Sequence, residues 1–295
     1  MALSSSMSKL AQRERTRREI LQKSELIPSL PDVVVEVLRL VADKGAEIQQ
    51  FEDLLKNDGP LVAKMLRVVN SPFYAVASPV RTIGQAVMVL GFRSLRSLVL
   101  AASTGNYMER DYRCYGYASK GLWLHSVAVA AASRTIAKEL RKHPDVREEV
   151  FVAGLLHDIG KLLLAPYLHE EGITIDASHD SAEQERTALG IDHQEAGSLV
   201  AEKWGLSPLV HHAISKHHEH TVEGDAAESW AIVRLAHDYA RARGIGYAEG
   251  TCSELSLTAT ALSILGIDED GWKDLEIELE PAVDSAVASL SRIGS

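Results

Sequence analysis

The sequence is poor in the residues that staple small folds and build sheets. It has two cysteines, Cys114 and Cys252, which make no disulfide framework. Phe, Trp and Tyr together make up 5% of the chain, and no stretch alternates apolar and polar residues as a half-buried strand would. No apolar run reads as the roughly eighteen residues needed to cross a bilayer. The first residues, MALSSSMSKL, lack the apolar segment of a secretory signal. Positive charge is short as well: the formal net charge is −10, which argues against wholesale binding of nucleic acid. These shortages predict a soluble cytoplasmic protein that takes neither nucleic acid nor membrane as a partner.

Ala, Leu and Val are abundant, and hydrophobic residues are 46% of 295, ample for a sizeable core. That mixture favours helix over sheet, and the predicted fold class is all-α, in two helical lobes. Residues 1–25 read as a charged, helical extension, solvated on its faces, with a narrow stripe of Leu10, Ile20 and Leu21. Residues 26–118 read as a lobe of short helices punctuated at Asn57-Asp58-Gly59-Pro60 and in SPFYAVASPV. TIGQAVMVLGF and RSLRSLVLAAS are its last two helices, and the tyrosine-rich RDYRCYGYASK joins it to the next lobe. Residues 119–250 hold a second helical bundle, and residues 251–295 form helices packed on it. In NSPFYA, Asn70 and Ser71 suit a helix end turning into a loop, and Phe73 and Tyr74 are expected to pack that loop down.

The second lobe carries the chemistry. GLLHDIGKLLLA, residues 154–165, puts His157, Asp158 and Lys161 in an otherwise apolar stretch expected to lie within one helix. Burying such groups unpaired costs several kcal/mol, on the order of ~3–5 per broken ion pair. Twelve histidines are present, six of them between residues 193 and 220. His157-Asp158 and His217-His218 are adjacent pairs, and neighbours on a helix diverge by about 100°. Paired ligands of that kind suit two metal ions better than one. Neutral imidazole with a carboxylate suits divalent iron, manganese or zinc. Gly160 is expected to let a neighbouring group come close, at a helix cost of about 1 kcal/mol relative to Ala. His211 and His212 read as ordinary helix residues near the surface, and His143, His169, His179 and His220 as surface.

The series His125, His157-Asp158 in HDIGK, His193 and His217-His218 resembles the ligand order of the HD superfamily of metal-dependent phosphohydrolases. LIPSLPDVVVEVLRL, LLKNDGPLVAKMLRVVNSPFY, TIGQAVMVLGFRSLRSLVL, LWLHSVAVA and ALGIDHQEAGSLVAEKWGLSP together resemble the HDOD family, over roughly residues 26–220. The resemblance implies an HD-type bundle whose metal ligands are His125, His157, Asp158, His193, His217 and His218. The last ligand in HD proteins is usually the aspartate of a helix reading L-A-D. Here the helix reads Leu235-Ala236-His237-Asp238, so His237 takes the register position and Asp238 stands one step along. HDOD proteins are mostly regarded as signalling modules, which implies signalling proteins or self-association as partners. The HD superfamily implies instead hydrolysis of a phosphate-containing small molecule, a nucleotide or cyclic nucleotide, with Asp158 and Lys161 as catalytic groups. The glycine-rich signature of the related cyclic-di-GMP phosphodiesterases is missing after His218, where the chain reads EHTVEGDAAE.

Overall fold

The computed structural model describes residues 2–22, 29–43, 45–71, 74, 76–251 and 257–290. Helices account for nearly all regular structure, and the one extended pairing among the described residues is a single bridge between Tyr117 and Tyr247. After α1 (Ala2–Gln22), the first lobe is built from α2 (Asp32–Ala42), α3 (Ile48–Leu55), α4 (Gly59–Val69) and α5 (Ile83–Met108). Each start is written locally. Glu47 and Gln50 cap α3 reciprocally, the Asp58 carboxylate accepts from the Leu61 amide, and Thr82 accepts from Gln85. Gly91, at φ +83°, breaks α5 between its two apolar halves, where the sequence expects two helices. The lobe's core is mainly apolar, with Val37, Phe51, Leu55, Met65 and Leu98 sealed from solvent and small hydroxyl side chains such as Ser97 and Thr104 buried among them.

The second lobe runs α6 (Gly121–Glu139), α7 (Pro144–Leu156), α8 (Lys161–Glu170), α9 (Ser181–Leu189), α10 (His193–Lys203), α11 (Pro208–Lys216) and α12 (Ala227–Ala242). At its centre is α6, packed on by α7, α12 and α14. α13 (Ala259–Leu265) and α14 (Glu269–Leu290) follow, and the Trp123 indole donates to the Leu290 carbonyl across the α6–α14 contact at 3.1 Å. Apolar packing continues from the first lobe into the second as one cluster.

Three features differ from expectation. α1 is not solvated all round: it packs on α9 and α10, burying Ile20 and pairing Arg17 with Glu195 at 2.5 Å. Ile20 and Leu21, from the apolar stripe read in the sequence, pack against the core. HDIG does not continue a helix; α7 ends at Leu156, α8 starts at Lys161, and residues 157–160 turn between them. Two segments do reach the length and hydropathy of a bilayer span, Ile83–Met108 and Pro144–Glu170, but 61% and 83% of their apolar windows are buried inside the fold.

Asn70 closes the loop after α4: its amide donates to the Leu66 and Val80 carbonyls, at 2.8 and 2.7 Å, and its oxygen accepts from Val80 at 2.7 Å. Tyr74 is buried under the Arg134 guanidinium of α6, 4.8 Å from its ring. Phe73 and Cys252 lie outside the described residues.

Candidate metal centre

Five separate pieces of chain aim imidazoles at one point of the second lobe. His125 comes from α6, His157 and Asp158 from the turn after α7, and His193 from the start of α10. His217 and His218 follow α11, and His237 comes from α12. Local rules fix several of these positions. Asp192 caps α10 by accepting from Glu195, which makes His193 the first helical residue. Gly160 lies flat against that start: a Cβ there would collide with the His193 carbonyl and sit 2.5 Å from the Gly197 amide nitrogen. The close approach expected of Gly160 is therefore backbone to backbone.

Asp158 is the hub. Its Oδ1 is 3.3 Å from His193 Nε2 and 3.7 Å from His217 Nε2. Its Oδ2 is 3.3 Å from His157 Nε2, 4.0 Å from His125 Nε2, and accepts from Lys161 Nζ at 2.7 Å and Tyr117 at 3.0 Å. Donor atoms gather into two groups, Asp158, His193, His217 and His218 in one, and His125, His157 and His237 in the other, each within 4.8 Å of one another. Lys161 thus holds the hub carboxylate directly.

The outer faces of the imidazoles set their inner faces. His157 Nδ1 donates to the Gly154 carbonyl at 2.7 Å and His217 Nδ1 to the Ile214 carbonyl at 3.0 Å. A carbonyl only accepts, so Nδ1 carries a proton in both rings and Nε2 faces inward; in His217, which burial holds neutral, that Nε2 is a bare lone pair. His193 Nδ1 faces Glu185 at 2.6 Å and His218 Nδ1 faces Asp180 at 3.0 Å, the same carboxylate support that orients ligating histidines elsewhere. His193 Nε2 and His217 Nε2 then stand 3.0 Å apart. Two lone pairs repel at that distance unless a proton or a cation lies between them.

Burial pushes His125, His217 and His237 well below the ordinary histidine value, with neighbouring imidazoles adding to it, and pushes His218 down to about 3. His193 goes the other way: burial opposes it, but Glu185 raises it. Burial alone would raise the Asp158 carboxyl; His157 and Lys161 overcome that and hold it well below the carboxylate range. The lobe centre therefore holds a Lys161–Asp158 ion pair surrounded by mostly neutral imidazoles. Asp158 Oδ1, His157 Nε2, His218 Nε2, His237 Nδ1 and both nitrogens of His125 are buried without a hydrogen-bond partner among the described residues. Buried polar atoms are rarely left so. Six imidazoles and one carboxylate, with orphaned atoms facing each other in two groups, fit divalent ions that accept nitrogen and oxygen donors. Bound there, such ions supply Lewis acidity and an acidified water.

His237 and Asp238 separate cleanly. His237 lies among the others, its ring centroid 5.2 Å from that of His157 and 5.3 Å from those of His125 and His218. Asp238 points to the opposite side, where Arg234 Nε sits at 3.1 Å and the Thr258 amide and hydroxyl donate at 3.0 and 2.9 Å. It does not join the ligand group, because one step along α12 turns a side chain by about 100°. His211 hydrogen-bonds Ser198 at 2.8 Å, and His143, His169, His179 and His220 are exposed.

Sequence reasoning missed the supporting groups. Tyr117 and Tyr247 stack at 4.5 Å and close one side of the centre. Their strands of chain touch because Gly246, at φ +90°, lies on Gly121, where a Cβ would strike the Gly246 carbonyl. Glu185 and Asp180 come from the polar loop and helix after α8, where nothing in the pattern marks a buried carboxylate. Residues 171–180 form a strap over the centre. Arg241 donates to the Ala177 and His179 carbonyls at 2.6 and 2.8 Å, and the Ile175 amide to the Cys114 carbonyl at 2.7 Å. Beneath the strap, beside His218 and His237, the remaining crevice holds about 10 Å³.

Comparison with known proteins gives the centre a family. Residues 27–220 match the HDOD domain. The chain belongs to the HDOD family. An HDOD domain protein of unknown function from Geobacter sulfurreducens is 25% identical and superposes with a TM-score of 0.73, over 96% of this chain and 98% of that one. A candidate phosphohydrolase from Shewanella amazonensis SB2B is also 25% identical, with a TM-score of 0.69 over 92% and 97%. A candidate signal transduction protein from Marinobacter aquaeolei VT8 shares the fold at 22% identity and a TM-score of 0.74, over 97% of this chain and 66% of that chain. An uncharacterized protein of Treponema pallidum (strain Nichols) is 24% identical over 201 residues, 65% of this chain but 37% of its own length. The matched HDOD region contains the donors from His125 to His218 and ends before His237, α13 and α14.

Proposed function

We propose that this HDOD protein is a regulatory module acting through protein contacts. In this reading its two donor groups hold divalent cations that brace the second lobe. Enclosure carries the reading. His125, His157, Asp158, His193 and His217 have no exposed surface, and His218 and His237 have 6% and 3%. The crevice of about 10 Å³ has room for about one water molecule. A phosphate ester needs many times that volume, so a sealed centre serves better as a brace than as a turnover site. α7 supplies the route for regulation. Its first half, with Asp145, Glu148 and Glu149, lines an interlobe cleft of about 390 Å³ together with Arg96 and Phe92 of α5. Its last turn leads into His157 and Asp158. A shift of the first lobe therefore pulls on the hub directly.

A second reading, metal-dependent phosphohydrolysis, is favoured by one observation: Lys161 and Arg241, two cations suited to a phosphoryl group, line the same crevice as His218 and His237. It requires the strap 171–180 to lift. The deciding experiment measures metal content by elemental analysis and turnover of nucleotides, cyclic nucleotides and a generic phosphodiester, on the wild type and on Arg241→Ala, which releases the strap. The brace reading expects stoichiometric metal, a lower melting temperature on chelation, and no turnover in either protein. Turnover that disappears with Asp158→Asn overturns it in favour of the hydrolase.

A further inference from the structure

The exposed large apolar side chains among the described residues stand in two places of opposite charge. Met88 and Val89, 70% and 57% exposed, project from α5 just before the Gly91 break. They lie in a stretch, residues 59–108, that contains no carboxylate and five cations, Lys64, Arg67, Arg81, Arg93 and Arg96, in a chain of net charge −10. Arg81 and Arg93 are exposed on either side of the pair, and Arg93 also meets Asp145 at 2.6 Å. The third such residue, Ile277, 69% exposed, stands on the outer face of α14. Asp270, Asp274 and Asp284 share that face at helical spacing. Between Asp268 and Asp284 the sequence has eight carboxylates against one lysine, Lys273.

The acidic face is incompletely neutralised. Lys273 serves Glu269 and Asp270, both at 3.2 Å, and Arg243 serves Asp284 at 3.2 Å and Glu280 at 3.6 Å. Asp274 and Glu278 have no ion pair among the described residues, and they rim a groove of about 310 Å³ floored by Leu140, Ile267 and Leu275. An apolar knob flanked by arginines is thus matched on the same molecule by an apolar groove flanked by unpaired acids.

We infer that the Met88–Val89 knob of one copy docks on the α14 groove of a second copy. Two copies, each at −10, repel in general; this arrangement sets an apolar knob on a stretch that contributes five cations and no carboxylate of its own against a strongly acidic helix. The knob fills the groove, Arg81 and Arg93 face Asp274 and Glu278, and Ile277 packs at the edge. Because knob and groove are different patches, the contact either closes as a reciprocal pair or runs head to tail. Its use as a signalling output rests on the regulatory reading above; the contact itself does not.

Sedimentation equilibrium of the full chain tests it. Wild type associates reversibly at low salt, and about 0.5 M salt weakens association about tenfold or more, since exposed charges are screened over roughly a Debye length. Met88→Asp weakens association by about tenfold or more, as do Arg81→Glu and Asp274→Lys separately. Mixing Arg81→Glu with Asp274→Lys restores association, because the reversed knob then meets the reversed groove; unchanged thermal melts show each variant folded. A wild type that stays monomeric at about 100 μM, an association indifferent to Met88→Asp, or a mixture no tighter than the single variants overturns the proposal. Metal content and turnover, which test the regulatory reading, are untouched by these exposed substitutions, so the two failures are told apart.

Discussion

The two lobes are packed by similar helices but stabilised by different means. The first buries Val37, Phe51, Leu55, Met65 and Leu98 and asks nothing of solvent conditions beyond the transfer of apolar surface from water. The second buries equally well, yet at its centre stand His125, His157, His193, His217, Asp158 and Lys161, nearly or fully without exposure. A polar cluster of that kind stabilises only while every member is satisfied, and a partly satisfied one is worse than an apolar core. The first lobe's stability should therefore be nearly blind to metal and pH, and the second's should follow both.

The largest expected effect breaks this difference at the hub. Asp158→Asn removes the partner of Lys161, 2.7 Å away and 2% exposed, and leaves a cation in the interior. The cost is about 3–5 kcal/mol, the range for breaking a buried ion pair. Leu98→Ala in the first lobe costs a similar ~2–5 kcal/mol by opening a cavity. The two are separated by melting with and without chelator: chelation lowers the melting temperature of Leu98→Ala as much as that of wild type, and leaves Asp158→Asn unmoved.

Acid gives the next effect, in the metal-free protein. For His125, His217, His218 and His237 the folded value lies below the unfolded one, about 6.5. Between the two values the unfolded chain binds more protons. Stability is thus fully present above about 6.5 and falls as pH drops toward the folded value, about 3 for His218. Each such group contributes a slope of about 1.4 kcal/mol per pH unit. His193 has the opposite sign, since its folded value is raised; its share is present at low pH and is lost as pH rises through that value. Four groups against one predict net loss, read as a falling urea midpoint between pH 7 and pH 5. A midpoint that rises over that interval would mean the imidazoles are not buried neutral.

Much of this was legible before the structure, and the reason is periodicity. Helix starts at Asp58-Gly59-Pro60, Thr82 and Asp192 are marked by capping residues that act within three positions, so sequence displays them. The ligand histidines were legible because their order resembles that of the HD superfamily, and because His157, Asp158 and Lys161 stand out as ionisable groups in an apolar stretch. What supports them was not. Glu185 lies in a helix with a polar pattern, yet it is fully buried by α10. Tyr117 sits in a tyrosine-rich join that reads as a connector, and only the contact of Gly121 with Gly246, 125 positions on, turns it toward Asp158. The break at 157–160 was hidden for the opposite reason: its residues read as helix, and the packing of Gly160 on the start of α10 decides otherwise.

The smallest effect sharpens the same contrast within two neighbouring residues. Asp238 is as buried as many core groups, 8% exposed, and burial raises its carboxyl above the usual value even beside Arg234 and Thr258. Replacing it with Asn keeps an acceptor for the Thr258 amide and hydroxyl and removes a charge the site holds poorly. The expected cost is about 1 kcal/mol or less, the net scale of a single hydrogen bond, with metal content unchanged by elemental analysis. His237→Ala takes away an imidazole that faces His125, His157 and His218, and should lower metal content in the group it shares with His125 and His157. If Asp238→Asn lost the metal while His237→Ala kept it, α12 would have to present its other face to the centre, and the division between the imidazole cluster and its ordinary ion-paired margin would fall one residue further along the chain.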